Sequence, residues 1–119
     1  MENKGLEITS QEIPGKENVK IFILKGSLDM VTTSKLNEIV EPFIQKENFC
    51  VMLEISGINY MNSTGLANIL RYHIQLKRRN GSFKLISPNS YIYEILDVTG
   101  AVKLLEIHNS IEEALRTCP

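Results

Sequence analysis

Few side chains in this 119-residue chain could do chemistry, and most of them stand apart from one another. The two histidines, His73 and His108, have no metal-ligating or nucleophilic partner at motif spacing. His73 falls on the apolar face of a helical pattern and reads as a core or boundary histidine. His108 follows a strand, beside Asn109, and reads as solvated. Cys50 sits in an apolar run and Cys118 is remote from it in sequence. They read as a small buried hydrophobe and a tail thiol, not as a disulfide framework or a CxxC metal site. No HExxH, GxSxG or GxGxxG pattern occurs, nor a phosphate loop closing on Gly-Lys-Ser or Gly-Lys-Thr. The expectation is a non-enzyme that holds no metal and no cofactor.

One constellation stands out. Asn62-Ser63-Thr64 precedes Gly65 and the apolar helical repeat that begins at Leu66. Formally it matches a glycosylation acceptor, but no secretory leader is visible in front of it. A helix start needs a capping side chain, which contributes about 1 kcal/mol. A cap accounts for one of the three residues. It does not account for two hydroxyls followed by a glycine, which carries no side chain to screen them. In open α/β sheets, the loops after strand carboxyl ends are where ligands and partners meet the fold. On the residues alone, cap-only and cap-plus-recognition both stand. The basic group Lys77-Arg78-Arg79 closes the same helix, where cations complement the helix dipole by about 0.3–1 kcal/mol each.

The elements that must position these groups follow from periodicity. Leu6 to Ile13 alternates, Pro14-Gly15-Lys16 signals a turn, and Val19 to Leu24 is apolar on both faces, so two strands form a hairpin whose second strand stops at Gly26. Thr32-Thr33-Ser34 are good caps for a helix with Leu36, Ile39, Val40, Phe43 and Ile44 on one face, kinked at Pro42. Phe49 to Ile55 is nearly continuously apolar, as in strands buried on both faces, with a loop from Ser56 to Met61. Leu66, Ile69, Leu70, His73 and Ile74 form the next helix face, and Asn80-Gly81 stops it. Phe83 to Ile86 is a strand. Pro88 suits the first position of a helix carrying Ile92, Ile95 and Leu96, which Gly100 ends. Leu104 to Ile107 is the last strand, and Ser110 with Glu113 makes a capping box for a short final helix. The order is ββαβαβαβα. The fold class is α/β, a mixed, mostly parallel sheet of about 4–5 strands covered by about four helices.

Thirteen basic and fourteen acidic residues leave a net charge of −1, with 43% hydrophobic and 23% charged residues. That argues against disorder and against a nucleic-acid binder built on a basic footprint. No apolar run is long enough to span a bilayer, so no membrane association is expected and the default location is cytoplasmic. Residues 1–119 read as one domain. Monomer and weak dimer are both open, with Tyr91, Tyr93 and the first strand as the dimer contact.

The segment Tyr60-Met61-Asn62-Ser63-Thr64-Gly65-Leu66 resembles the signature of STAS domains, Asp-Ser-(Ser/Thr)-Gly-Leu opening a helix after a strand. Gly26-Ser27-Leu28-Asp29 is similar to that family's second marker, Gly-Glu-Leu-Asp. The resemblance covers almost the whole chain and implies the STAS fold. It also implies an anti-sigma factor antagonist: a protein-binding switch in signal transduction and regulation of transcription. Such a protein binds an anti-sigma factor with serine kinase activity when unphosphorylated and releases it as a phosphoprotein, with a phosphoserine phosphatase to reset it. Carried over, the phosphoacceptor is Ser63, with Thr64 the neighbouring hydroxyl. The partner surface is Gly26, Ser27, Leu28, Asp29, Met61, Asn62, Ser63, Thr64, Gly65 and Leu66. The alternative is a constitutive, non-phosphorylated STAS adaptor in a signalling or transport assembly. Asn62 and Glu54 stand where the family usually has Asp. Asn62 caps as well as Asp but supplies no charge. Glu54 is expected near the same loop.

Overall fold

The structure, a computed structural model, describes residues 5–118; Met1–Lys4, at which the reading for a leader begins, lie outside the described residues. Strands β1 (Leu6–Ile13) and β2 (Lys16–Leu28) form an antiparallel hairpin, followed by helix α1 (Met30–Ile44). Then come β3 (Cys50–Met61), α2 (Ser63–Arg78), β4 (Ser82–Ile86), α3 (Ser90–Val98), a 3-10 turn (Ala101–Lys103), β5 (Glu106–His108) and α4 (Ile111–Leu115). The sheet order is β1-β2-β3-β4-β5, with β2 through β5 parallel. This is the expected mixed, mostly parallel α/β sheet.

The apolar run of β3 divides between two cores. Val51, Leu53 and Ile55 face the large cluster under α1, α2 and α3; Cys50 and Met52 face a smaller one under α4. Both faces of a parallel strand are thus covered, which is why it reads as a run and not an alternation.

Several boundaries move. β2 does not stop at Gly26 but continues to Leu28, and the expected loop from Ser56 to Met61 is the second half of β3. Ile58 and Met61 are buried, so the extension keeps an inward face. Gly26 and Gly57 sit at register irregularities between the two strands rather than at their ends. Helix α1 is capped by Asp29, not by Thr32–Ser34, and runs through Pro42 to Ile44. The inner face of α2 is Gly65, Ile69, Tyr72 and Leu76, whereas Ile74 is exposed. Tyr72, absent from the expected face, is fully buried. Its position, three after Ile69 and four before Leu76, is a core position of the helical repeat. Asn80 takes the left-handed conformation that ends α2. Asn89, not Pro88, starts α3, with its side chain accepting from the Ile92 amide. Leu104 and Leu105 precede the last strand instead of forming it. Ser110 caps α4 through the Glu113 amide, but the Glu113 carboxylate accepts from Asn109, one residue short of a reciprocal box. No helix among the described residues is long and apolar enough to cross a membrane.

Candidate functional site

Two strand ends and two helix starts meet at one edge of the sheet. The extension of β2 pairs with that of β3, Ser27 with Tyr60 and Leu28 with Met61. Each strand then feeds a helix within two residues. Gly26–Asp29 and Met61–Leu66, remote in sequence, are therefore neighbours.

At the α1 start, Asp29 Oδ1 accepts from the amides of Val31 (3.0 Å) and Thr32 (2.9 Å), and the Thr32 hydroxyl accepts from the Asp29 amide (2.9 Å). The Thr32 hydroxyl also donates to the Ser27 carbonyl (2.8 Å), which ties the cap to the strand. These bonds, led by the one from the Thr32 amide, hold the Asp29 carboxyl below its ordinary value.

At the α2 start, Asn62 has extended backbone geometry and its Oδ1 accepts from the Gly65 amide (3.0 Å). The Asn62 amide donates to the Leu28 carbonyl (3.2 Å), which stitches one helix start to the strand that feeds the other. Gly65 is required by this approach. A Cβ there would lie 2.4 Å from the Leu28 carbonyl oxygen. The two helices are held side by side further along: Asn37 on α1 accepts from the Tyr72 hydroxyl and from Arg71 (3.0 Å), and Arg71 pairs with Glu41 (3.2 Å). Burial pushes the Tyr72 hydroxyl up to about 12, so it stays a donor.

The candidate residues divide by exposure. Ser27, Leu28, Met61 and Gly65 are buried and present little or no surface; they hold the edge in shape. Gly26, Asp29, Asn62 and Leu66 are half-buried, and Ser63 and Thr64 are exposed. Neither hydroxyl of the last two hydrogen-bonds to a described residue. Neither α1 nor α2 has an acidic residue in its first turn, so the positive ends of two helix dipoles lie at this edge, with the Asp29 carboxylate capping one of them. The exposed apolar residues Met30 (70%), Val31 (77%) and Tyr60 (39%) belong to the same edge and were not among the expected surface. The sequence signal for the first two was Asp29 three residues before Thr32, a capping pattern that places Met30 at a helix start.

Other expectations fall elsewhere. Glu54 lies within β3, opposite Ile23 and Ile86, and bonds to Ser56. It stands seven positions before Met61 along the strand, about 23 Å at about 3.3 Å per residue, so it is not part of this edge. His108 is not solvated; its ring bonds to Glu106 (3.2 Å) and Glu113 (3.3 Å). His73 is half-buried, and burial lowers its pKa. No cluster of His, Cys, Asp and Glu among the described residues could hold a metal ion.

The model of the STAS domain matches residues 10–114. The anti-sigma-B factor antagonist of Listeria monocytogenes is 25% identical over 107 residues, 90% of each chain. The anti-sigma F factor antagonist of Paenibacillus polymyxa is 26% identical over 106 residues, covering 87% of this chain and 90% of its own. Among solved structures, an anti-sigma factor antagonist from Mycobacterium paratuberculosis superposes with a TM-score of 0.81 at 17% identity, covering 95% of this chain and 93% of its own. SpoIIAA, an anti-sigma factor antagonist, superposes in its unphosphorylated form with a TM-score of 0.75 at 15% identity (92% and 93% covered). In its phosphorylated form the TM-score is 0.71, again at 15% identity (92% and 97% covered).

Proposed function

This chain belongs to the STAS domain family, and on that premise we propose that it is an anti-sigma factor antagonist switched by phosphorylation of Ser63. Unphosphorylated, it binds an anti-sigma factor that is also a serine kinase, in the cytoplasm. Phosphorylated, it lets go, and a phosphatase resets it. The relatives' shared role supports the coarse reading. One observation carries the fine one: the Ser63 hydroxyl stands exposed in the first turn of α2, with no partner among the described residues and no acidic neighbour in that turn.

A phosphate there adds about −1.5 to −2 charges at neutral pH. The chain tolerates it, because a helix amino terminus is a favourable place for an anion. A bound partner does not, because the exposed residues around Ser63 include Met30, Val31 and Tyr60, whose contacts would be dry. The partner surface is the exposed part of the edge, Ser63, Thr64, Met30, Val31 and Tyr60, framed by Gly26, Asp29, Asn62 and Leu66.

The test is incubation of the protein with the kinase and ATP, followed by site mapping. Phosphate on Ser63 is expected, absent from Ser63→Ala, together with a loss of partner affinity of at least tenfold, about 1.4 kcal/mol. If Ser63 stays unmodified and Ser63→Asp binds like wild type, the protein is instead the constitutive adaptor.

A further inference from the structure

The face of the sheet away from α1–α3 holds a pair of thiols that the antagonist role does not use. Cys50 opens β3 and is 1% exposed; Cys118 follows α4 and is half-buried. Separated by 68 residues in sequence, their sulfurs stand 2.9 Å apart and share a hydrogen bond. A sulfur–sulfur bond is about 2.05 Å long, so closing it needs a movement of about 0.9 Å. Both side chains border the small cluster under α4, so neither has to leave its packing to meet the other.

The surroundings distinguish the two sulfurs. Lys84, buried on the same face, donates to Glu106 (2.6 Å) and to the hydroxyl of Thr117, the residue before Cys118. The bond with Cys50 lowers the Cys118 thiol, against some cost of burial, helped by the charges of Lys84 and Lys16. The same bond and deep burial push Cys50 up. Cys118, half-buried, is thus the more reachable sulfur and the one to ionise first, and Cys50, 1% exposed, the protected one. Ser82 pairs with Cys50 across the sheet.

We propose that Cys50 and Cys118 are a peroxide-oxidisable thiol pair, a modification site that ties the segment after α4 to the start of β3. The Cys118 thiolate attacks one oxygen of hydrogen peroxide, breaking the O–O bond. The sulfur becomes a sulfenic acid, and the departing hydroxide takes up a proton as water. The Cys50 sulfur then attacks the Cys118 sulfur. The S–O bond breaks, and the leaving hydroxide takes the Cys50 proton as a second water. Two thiols and one peroxide give one disulfide and two waters; the sulfurs lose two electrons and the peroxide gains them. This inference is independent of Ser63.

The experiment treats the folded full-length chain with hydrogen peroxide at neutral pH, blocks remaining thiols, and maps the product by mass spectrometry under non-reducing conditions. An intramolecular Cys50–Cys118 peptide is expected, with loss of two hydrogens. The thermal midpoint should rise by on the order of 10 °C and return on reduction. In Cys50→Ala, peroxide should leave a dimedone-trappable sulfenic acid on Cys118; in Cys118→Ala, Cys50 should stay reduced. The proposal is overturned if both thiols remain alkylatable after peroxide treatment. It is equally overturned if the disulfide links two chains, or if Cys50 oxidises as fast without Cys118 as with it.

Discussion

Replacing Gly65 by alanine should destabilise the protein, although alanine is the better helix former by about 1 kcal/mol. The added Cβ would sit 2.4 Å from the Leu28 carbonyl oxygen and 2.9 Å from the Leu28 carbonyl carbon and Cβ, where ordinary contact begins at 3.4 Å. The start of α2 would have to move away by about 1 Å. Overpacking of this kind costs about 1–3 kcal/mol. The move also stretches the bond from the Asn62 amide to the same carbonyl, now 3.2 Å, which contributes about 1 kcal/mol. Set against the gain in propensity, the net loss is about 1–3 kcal/mol. At a urea slope of about 1–2 kcal/mol/M, the unfolding midpoint falls by about 0.5–3 M. Ala67→Gly, at an exposed position of the same helix, should lose about 1 kcal/mol by propensity alone. A Gly65→Ala midpoint equal to or above wild type would show that α2 does not press on the end of β2, and the account of the edge would fail with it.

Removing the cap in Asn62→Ala should cost about 1 kcal/mol in the same urea titration, while Asn62→Asp should stay within about 0.5 kcal/mol of wild type. Asp29→Asn keeps a cap but removes the charge. Because the folded carboxyl titrates below its ordinary 3.8, its stabilisation is full above that value and disappears as pH falls through the lowered one. Thermal midpoints should therefore favour wild type at neutral pH, with the difference vanishing in strong acid. Lys84→Met should be less stable than wild type by about 1–3 kcal/mol in calorimetry, because it leaves the Glu106 carboxylate without its buried ammonium partner, and Lys84→Met/Glu106→Gln should recover part of that loss.

The element order was readable because each strand and helix carries its own period. Its punctuation was not. The sequence pattern stops β2 at Gly26 and puts Gly57 in a loop after Ile55, because glycine usually breaks a pattern. In the sheet they relieve close approaches instead. A Cβ on Gly57 would meet Lys25 at 2.7 Å, and one on Gly26 would meet the Gly5 carbonyl at 2.1 Å. A glycine that ends a strand and a glycine that lets a neighbour come near look alike until the neighbour is known. The same blindness hid the Cys50–Cys118 pair, since no spacing in sequence announces that α4 folds back over the start of β3. Of the edge residues, the Asn62–Gly65 cluster was visible because caps are local. Met30, Val31 and Tyr60 were not, because their exposure depends on where two extended strands stop.

This division between hidden and exposed residues bears on how a single phosphate could act. The geometry of the edge rests on buried groups: Ser27, Leu28, Met61 and Gly65. A modification at Ser63 touches none of them, so the fold has no reason to yield. The charge would enter a chain whose net charge is only −1, at a helix start without acidic neighbours in its first turn. Inside the molecule a phosphate on Ser63 would meet dipoles that favour it. The unfavourable part would arise only in the proposed complex, where a surface laid on Met30 and Val31 would have to strip water from a doubly charged group. Every 1.4 kcal/mol of that cost is a tenfold loss of affinity. The neutral Asn62 works in the same direction. With Asp in its place a carboxylate would stand beside the phosphate in the unbound chain; with Asn, the repulsion is reserved for the partner.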